Sequence, residues 1–113
     1  MLICRDFSFD AAHHLVAYQG KCERVHGHTY KLRVCVEEPV GADGLAFDFV
    51  RLKAIVNGRV IDILDHTDLN GLFPQPSCEL VAVWIWDALK ADLHLAEIRL
   101  WETPESFVVY RGV

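Results

Sequence analysis

The chain has 113 residues, of which 52% are hydrophobic and 24% charged, and its formal net charge is −5. This length and apolar content predict a single domain over residues 1–113 with its own core, and exclude a disordered chain. The acidic balance argues against a nucleic-acid-binding protein, which usually presents a basic face. An anionic substrate would therefore need a local basic pocket.

Targeting and cysteine patterns exclude further classes. No apolar run approaches the roughly 18–20 residues of a membrane span, and the start of the chain lacks the charged head and apolar stretch of a signal peptide. We therefore expect a cytoplasmic protein with no membrane partner. The cysteines, Cys4, Cys22, Cys35 and Cys78, form no C-x-x-C pair. Reduced thiols are the default in the cytoplasm, so we predict no disulfide framework.

Two strands are predicted in the first third of the chain. Residues Cys4–Ala12 alternate between apolar and polar side chains, and Thr29–Glu37 do so more regularly, as half-buried strands do. Cys4 and Cys35 fall in these strands and are predicted to be ordinary core or surface residues. The segment Gln19–Glu23 between the strands is a polar connector.

Helical periodicity follows. Asp48 is a plausible N-cap for a helix to about Leu64, although Gly58 weakens this prediction, and Ser77 is a plausible N-cap for a second helix to about Leu93.

Two alternating segments, 97–102 and 106–111, predict a closing hairpin. The order β-β-α-α-β-β favours an α+β fold, in which a four-stranded antiparallel sheet carries both helices on one face.

Three histidines share one face of the predicted sheet. His26 and His28 are two residues apart, so their side chains point the same way in an extended segment, and His13 is in phase with the apolar face of the first strand. Three neutral imidazoles with an open fourth position form a known catalytic zinc site, with Zn–N distances of about 2.0–2.1 Å. A single histidine is more often hydrogen-bonded within the protein or exposed on its surface. This alternative applies to each of the three histidines taken alone.

Cys22 lies four residues before His26. A thiol close to a divalent cation and to Lys21 would have a stabilised thiolate, which makes it a competent base or nucleophile. The alternatives are an inert cysteine, or a fourth structural ligand that would close the zinc site and make it non-catalytic.

Two further elements carry candidate chemistry. Asp65 and His66 stand at a predicted helix end, where the carboxylate can orient an imidazole that moves protons; the alternative is a helix terminator without chemistry. Glu102 continues an apolar strand face, and a buried carboxylate needs a partner such as a guanidine-like ring edge. The alternative is a strand-end glutamate that faces solvent.

These residues belong to motifs whose order and spacing resemble the 6-pyruvoyltetrahydropterin synthase family, most closely its 6-carboxytetrahydropterin synthase branch. The resemblance runs from about Phe7 to Gly112. The motifs are Phe9-Asp10-Ala11-Ala12-His13, Cys22-Glu23-Arg24-Val25-His26-Gly27-His28, Leu64-Asp65-His66-Thr67-Asp68-Leu69-Asn70, Pro76-Ser77-Cys78-Glu79 and Trp101-Glu102-Thr103. Two departures are His14, a possible rival ligand, and serine where the family commonly has threonine in the pterin loop.

The resemblance implies a tunnelling fold, in which subunits join their sheets into a barrel and six chains assemble as two stacked trimers with active sites between subunits. It also implies roles for individual residues. These are zinc ligands His13, His26 and His28; proton-moving residues Cys22, Asp65 and His66; and pterin-pocket residues Glu102, Ser77 and Cys78.

The implied reaction converts 7,8-dihydroneopterin triphosphate to 6-carboxy-5,6,7,8-tetrahydropterin, with loss of acetaldehyde and triphosphate, in queuosine synthesis. The three residues between Cys22 and His26 favour this branch. The alternatives are a 6-pyruvoyltetrahydropterin synthase, a lyase that acts on dephosphorylated dihydroneopterin or sepiapterin, and a non-catalytic zinc-stabilised module.

Overall fold

The computed structural model describes residues 1–20 and 23–113. Its strands are β1 (Leu2–His13), β2 (His26–Glu37), β3 (Thr67–Asp68), β4 (Leu95–Thr103) and β5 (Ser106–Tyr110). Its α-helices are α1 (Phe49–Val56), α2 (Asp62–Leu64) and α3 (Cys78–Leu89). In the described ranges, no helix has the length and apolar character needed to cross a membrane.

The predicted α+β class is confirmed, but the predicted sheet is wrong in two respects. The sheet has five strands in the order β3-β1-β2-β4-β5, and β3 runs parallel to β1 at Ala11 and Ala12 while the remaining pairs are antiparallel. A strand of two residues has no alternation for a sequence pattern to detect. The sheet of one chain does not close into a barrel, since β3 and β5 are its two edges.

Both predicted N-caps are observed. The Asp48 carboxylate accepts a hydrogen bond from the Val50 N–H at 2.8 Å, and the Ser77 hydroxyl accepts one from the Leu80 N–H at 3.2 Å. The first helix reaches Leu64 as predicted, but through a π-helical stretch, Asn57–Ile61, that joins α1 to α2. The second helix ends at Leu89, earlier than predicted.

The helices cover one face of the sheet. Apolar residues of both layers are fully buried there, among them Leu52, Val56, Ile85, Leu32 and Leu100. Burial of such side chains contributes about 1.5–3 kcal/mol each. The packing of the helices therefore stabilises the sheet face on which His13 lies.

The cysteine prediction is corrected by the structure. Cys4 lies directly opposite Cys35 in the β1–β2 pair, with a Cα–Cα distance of 4.1 Å, and the two sulfurs are bonded. Such close spacing is typical of a non-hydrogen-bonded antiparallel pair. The partners are 31 residues apart in the chain, so a search for short cysteine spacings misses them. Cys78 is buried with a free thiol.

Candidate active site

Three imidazoles converge at the end of the β1–β2 pair. His13 is directly opposite His26, and His28 is opposite Ala11, so the three side chains share the helix-covered face. One ring nitrogen from each histidine lies within 4.8 Å of the others. The Nε2 atoms of His13 and His26 are 3.2 Å apart, and His13 is only 2% exposed.

Main-chain carbonyls determine which ring nitrogen carries the proton in His13 and in His26. The Nδ1 of His13 is 2.9 Å from the Pro76 carbonyl oxygen, and the Nδ1 of His26 is 2.8 Å from that of Arg24. A carbonyl only accepts, so each Nδ1–H donates and each neutral ring keeps a bare lone pair on Nε2. Two ligands on a tetrahedral zinc ion would have their nitrogens about 3.3–3.4 Å apart. The observed spacing therefore fits a shared cation.

His28 completes the cluster. Its Nε2 is buried and has no hydrogen-bond partner in the described part of the chain, while Glu102 Oε1 lies 3.5 Å away. Burial lowers the pKa of His28, and the Glu102 carboxylate only partly opposes this. The neutral imidazole is the form that binds a metal. The cluster is thus able to hold a divalent metal ion.

Asp65 and His66 form a second group at the edge of the sheet. Asp65 Oδ1 accepts from the Asp10 N–H at 2.9 Å, and Oδ2 is 2.9 Å from His66 Nδ1. His66 has φ of 58° and its N–H donates to the Asp10 carbonyl at 2.7 Å. The Asp10 N–H lowers the pKa of Asp65, with the His66 ring adding to the effect. The carboxylate is therefore ionised at neutral pH and orients the imidazole.

The two groups border one cleft without contacting each other directly. A cavity of about 580 Å³ is lined by His28 from the first group and His66 from the second, with Asp10 and Thr29 between them. The His66 side chain is 79% exposed. Within the described residues, no hydrogen bond or ion pair joins the histidine cluster to the Asp65–His66 dyad.

The predicted pterin-pocket residues lie beside the cluster. Glu102 is near the end of β4, and the Cys78 thiol in the first turn of α3 donates to the Leu100 carbonyl at 3.4 Å. Burial raises the pKa of Cys78 to about 12, and the charge of Glu102 adds to this. Cys78 is thus a neutral thiol at physiological pH, while the hydroxyl of Ser77 is used as the helix cap. Cys22 lies outside the described residues.

Sequence reasoning missed three contributors to this geometry. The buried hydroxyl of Tyr30 is 3.3 Å from His13 Nδ1, and the parity of Tyr30 with His26 and His28 was the available signal. Asp10 and Pro76 act through main-chain groups. Main-chain contributions of this kind cannot be recognised from the type of residue.

The family described as 6-pyruvoyl tetrahydropterin synthase matches residues 2–113, and the chain belongs to that family. It is 36% identical to a 6-carboxy-5,6,7,8-tetrahydropterin synthase of Haemophilus influenzae, over 96% of this chain and 97% of that protein. It is 38% identical to a dihydroneopterin monophosphate aldolase of Pyrococcus furiosus, over 87% and 86%.

A solved structure of Caenorhabditis elegans 6-pyruvoyl tetrahydropterin synthase superposes with a TM-score of 0.88 at 27% identity, and the match covers 100% of this chain and 96% of that one. The predicted family is thereby confirmed.

Proposed function

We propose that the protein is a zinc-dependent 6-carboxytetrahydropterin synthase. It converts 7,8-dihydroneopterin triphosphate and one molecule of water to 6-carboxy-5,6,7,8-tetrahydropterin, acetaldehyde and triphosphate, a step in queuosine synthesis. The observation that carries the proposal is the convergence of His13, His26 and His28 with main-chain acceptors on two Nδ1 atoms. The Haemophilus influenzae relative supports the choice of branch.

The three imidazoles would hold the zinc ion, and a bound zinc ion supplies a Lewis acid for the hydroxyl groups of the substrate side chain. Cys22, as a thiolate, removes a proton from the substrate carbon. His66 returns a proton, and the carboxylate of Asp65, 2.9 Å from His66 Nδ1, orients its imidazole.

Glu102, Ser77 and Cys78 are proposed to bind the pterin ring. The Glu102 carboxylate can accept two hydrogen bonds from the guanidine-like edge of the ring, which orients the side chain toward His28. The Cys78 thiol already donates to the Leu100 carbonyl, so its sulfur contacts the ring only as a weak acceptor. Its raised pKa argues against a role as a nucleophile.

We also propose that the active protein is a homo-oligomer, a hexamer built as two stacked trimers. The open edges of the sheet, β3 and β5, support this assembly because unpaired strand edges are available for pairing with other copies. The exposed His66 imidazole stands at one of these edges, so a neighbouring copy can cover it.

The test is to incubate zinc-loaded protein with 7,8-dihydroneopterin triphosphate and identify the products by mass spectrometry. We expect the carboxytetrahydropterin and acetaldehyde, with turnover lost in Cys22→Ala and His66→Asn but retained in His94→Asn. His94 is a matched control, because its side chain is 82% exposed against 79% for His66 and it also pairs with a carboxylate, that of Glu38, at 2.7 Å.

Other results would point elsewhere. Formation of pyruvoyltetrahydropterin would keep the site and move the chain to the sister branch. Retention of zinc by Cys22→Ala argues against a closed four-ligand site, whereas loss of both metal and fold in that variant would favour a non-catalytic zinc-stabilised module. Absence of turnover in metal-replete, assembled protein would refute the proposed function.

A further inference from the structure

Tyr30 is a fully buried side chain that packs against two of the three clustered histidines. It follows His28 by two residues on β2, so its side chain lies on the same face of the sheet. Its ring is edge-on to those of His13 and His28, with centroid distances of 6.1 Å and 5.7 Å. It also stacks in parallel on Phe9, its partner on β1, at 5.0 Å. One side chain thus supports two of the rings that could bind a metal.

The hydroxyl of Tyr30 contacts the His13 ring on the side away from the cluster. Its oxygen is 3.3 Å from His13 Nδ1, and the Pro76 carbonyl oxygen is 2.9 Å from the same atom. A carbonyl cannot donate, so Nδ1 carries the proton and the tyrosine oxygen is its second acceptor. The His13 N–H is therefore shared between β2 and the segment that precedes α3.

Two acceptors restrict the imidazole more than one acceptor does. A single hydrogen bond fixes the direction of the N–H but lets the ring tilt about that bond. A second acceptor from another element restricts the tilt, and the tilt decides where the lone pair on Nε2 points. That lone pair faces the cluster, since His13 Nε2 is 3.2 Å from His26 Nε2.

The hydroxyl has one other candidate role, at the proposed pterin anchor. Lys31 pairs with Trp101, so the same register continued by one residue places Tyr30 opposite Glu102 on β4. Burial raises the pKa of Tyr30, and the negative charge of Glu102 adds to this, so the hydroxyl stays neutral. Within the described residues, however, the hydroxyl has a hydrogen bond to His13 and none to Glu102. The contact with His13 is thus the one that the geometry favours.

We propose that Tyr30 is a positioning residue of the metal site, whose hydroxyl fixes the tilt of the His13 ring. The inference rests on the metal site of the proposed function and is independent of the substrate and the reaction. Loss of a group that orients a ligating histidine typically weakens metal binding by about 10- to 100-fold. The Pro76 carbonyl still accepts from His13 when the hydroxyl is removed, so the lower end of that range applies.

Tyr30→Phe tests this inference because it removes the hydroxyl and keeps the ring. The phenyl ring retains the stacking on Phe9 and the edge contact with His28, and the His13 N–H retains one acceptor. No buried donor loses its last partner, so the urea unfolding midpoint should stay near that of the wild type. Zinc affinity, measured by competition with a chromophoric chelator, should fall about tenfold. The visible absorption bands of the Co²⁺-substituted protein should shift.

Tyr110→Phe is the matched control. It makes the same chemical change on β5, where the half-buried ring packs on Trp86, and it should leave zinc affinity and the cobalt spectrum unchanged. A second measurement needs no variant. In ¹⁵N-labelled, zinc-loaded wild type, the His13 Nδ1 should carry a proton that shows a nuclear Overhauser effect to the ring protons beside the Tyr30 hydroxyl.

Three results would overturn the role of Tyr30. The first is a Tyr30→Phe protein with wild-type zinc affinity and cobalt spectrum, and a raised KM in such a protein would assign the hydroxyl to Glu102. The second is an equal loss of zinc affinity in Tyr110→Phe. The third is an unprotonated His13 Nδ1 in the wild type, which is decisive even if Tyr30→Phe does not fold. Wild-type protein that turns over no pterin while Tyr30→Phe weakens zinc binding would refute the proposed reaction and leave this inference standing.

Discussion

Reduction of the Cys4–Cys35 bond should lower the free energy of unfolding without disturbing the core. The bond closes a loop with a sequence separation of 31 residues. Loop-closure entropy for that length corresponds to about 3.7 kcal/mol at 25 °C, an upper value because unfolded chains keep residual structure. With an unfolding entropy of about 2.1 cal/mol/K per residue, this corresponds to a Tm about 15 °C lower for the 113-residue chain.

Cys4→Ser is the better variant for the assay, because Cys4 is exposed whereas Cys35 is only 3% exposed and its truncation would leave a cavity. Urea unfolding should show a loss of about 2–4 kcal/mol for Cys4→Ser and for reduced wild type, with no further effect of reductant on the variant. Alkylation of denatured, unreduced protein should label Cys22 and Cys78 only. Labelling of all four cysteines, or a Cys4→Ser variant as stable as wild type, would refute the reasoning.

Three other predictions concern stability. Arg99 holds the pKa of Glu97 below the ordinary 4.5, with Arg111 adding to the effect, so the folded state gains stability above that pH and loses it as the pH falls through the lowered pKa. Glu97→Gln should therefore cost about 0.5–1 kcal/mol at pH 7 and flatten the urea stability profile below pH 5. Gly112→Ala should cost more than about 1 kcal/mol in thermal unfolding, because φ is +89° and the added Cβ would lie 2.7 Å from Trp86 Cζ2. Gly58→Ala meets no atom within 4 Å and should stabilise the chain by up to about 1 kcal/mol.

The part of the site that the sequence predicts is the part set by strand parity. His13, His26 and His28 lie on one face because alternation along a strand is a property of the backbone. The same strand register also brings the two disulfide-bonded cysteines together. The pairing that places His13 opposite His26 also places Cys4 opposite Cys35, so the bond was deducible once the hairpin was aligned on its histidines.

The rest depends on main-chain contacts that residue types do not encode. Asp65 is fixed by the N–H of Asp10, a group that almost any residue supplies. Strand β3 has two residues, too few for a periodic pattern. The stretch Asn57–Ile61 is π-helical, so its turn contains more residues than an α-helical turn. The spacing of its apolar residues is nevertheless typical of an α-helix. In each case tertiary contacts decide between local structures of similar propensity.

The carbonyl groups that accept from the imidazole N–H groups affect the charge around a metal ion bound by the cluster. A carboxylate behind a ligating histidine would add negative charge and raise the basicity of the ring, whereas the Pro76 and Arg24 carbonyls orient the rings of His13 and His26 without a formal charge. A divalent ion held by three neutral imidazoles would keep its full double charge. Under the proposed function it would act as a Lewis acid on the substrate, while the Glu102 carboxylate, 3.5 Å from His28 Nε2, would recognise the pterin ring.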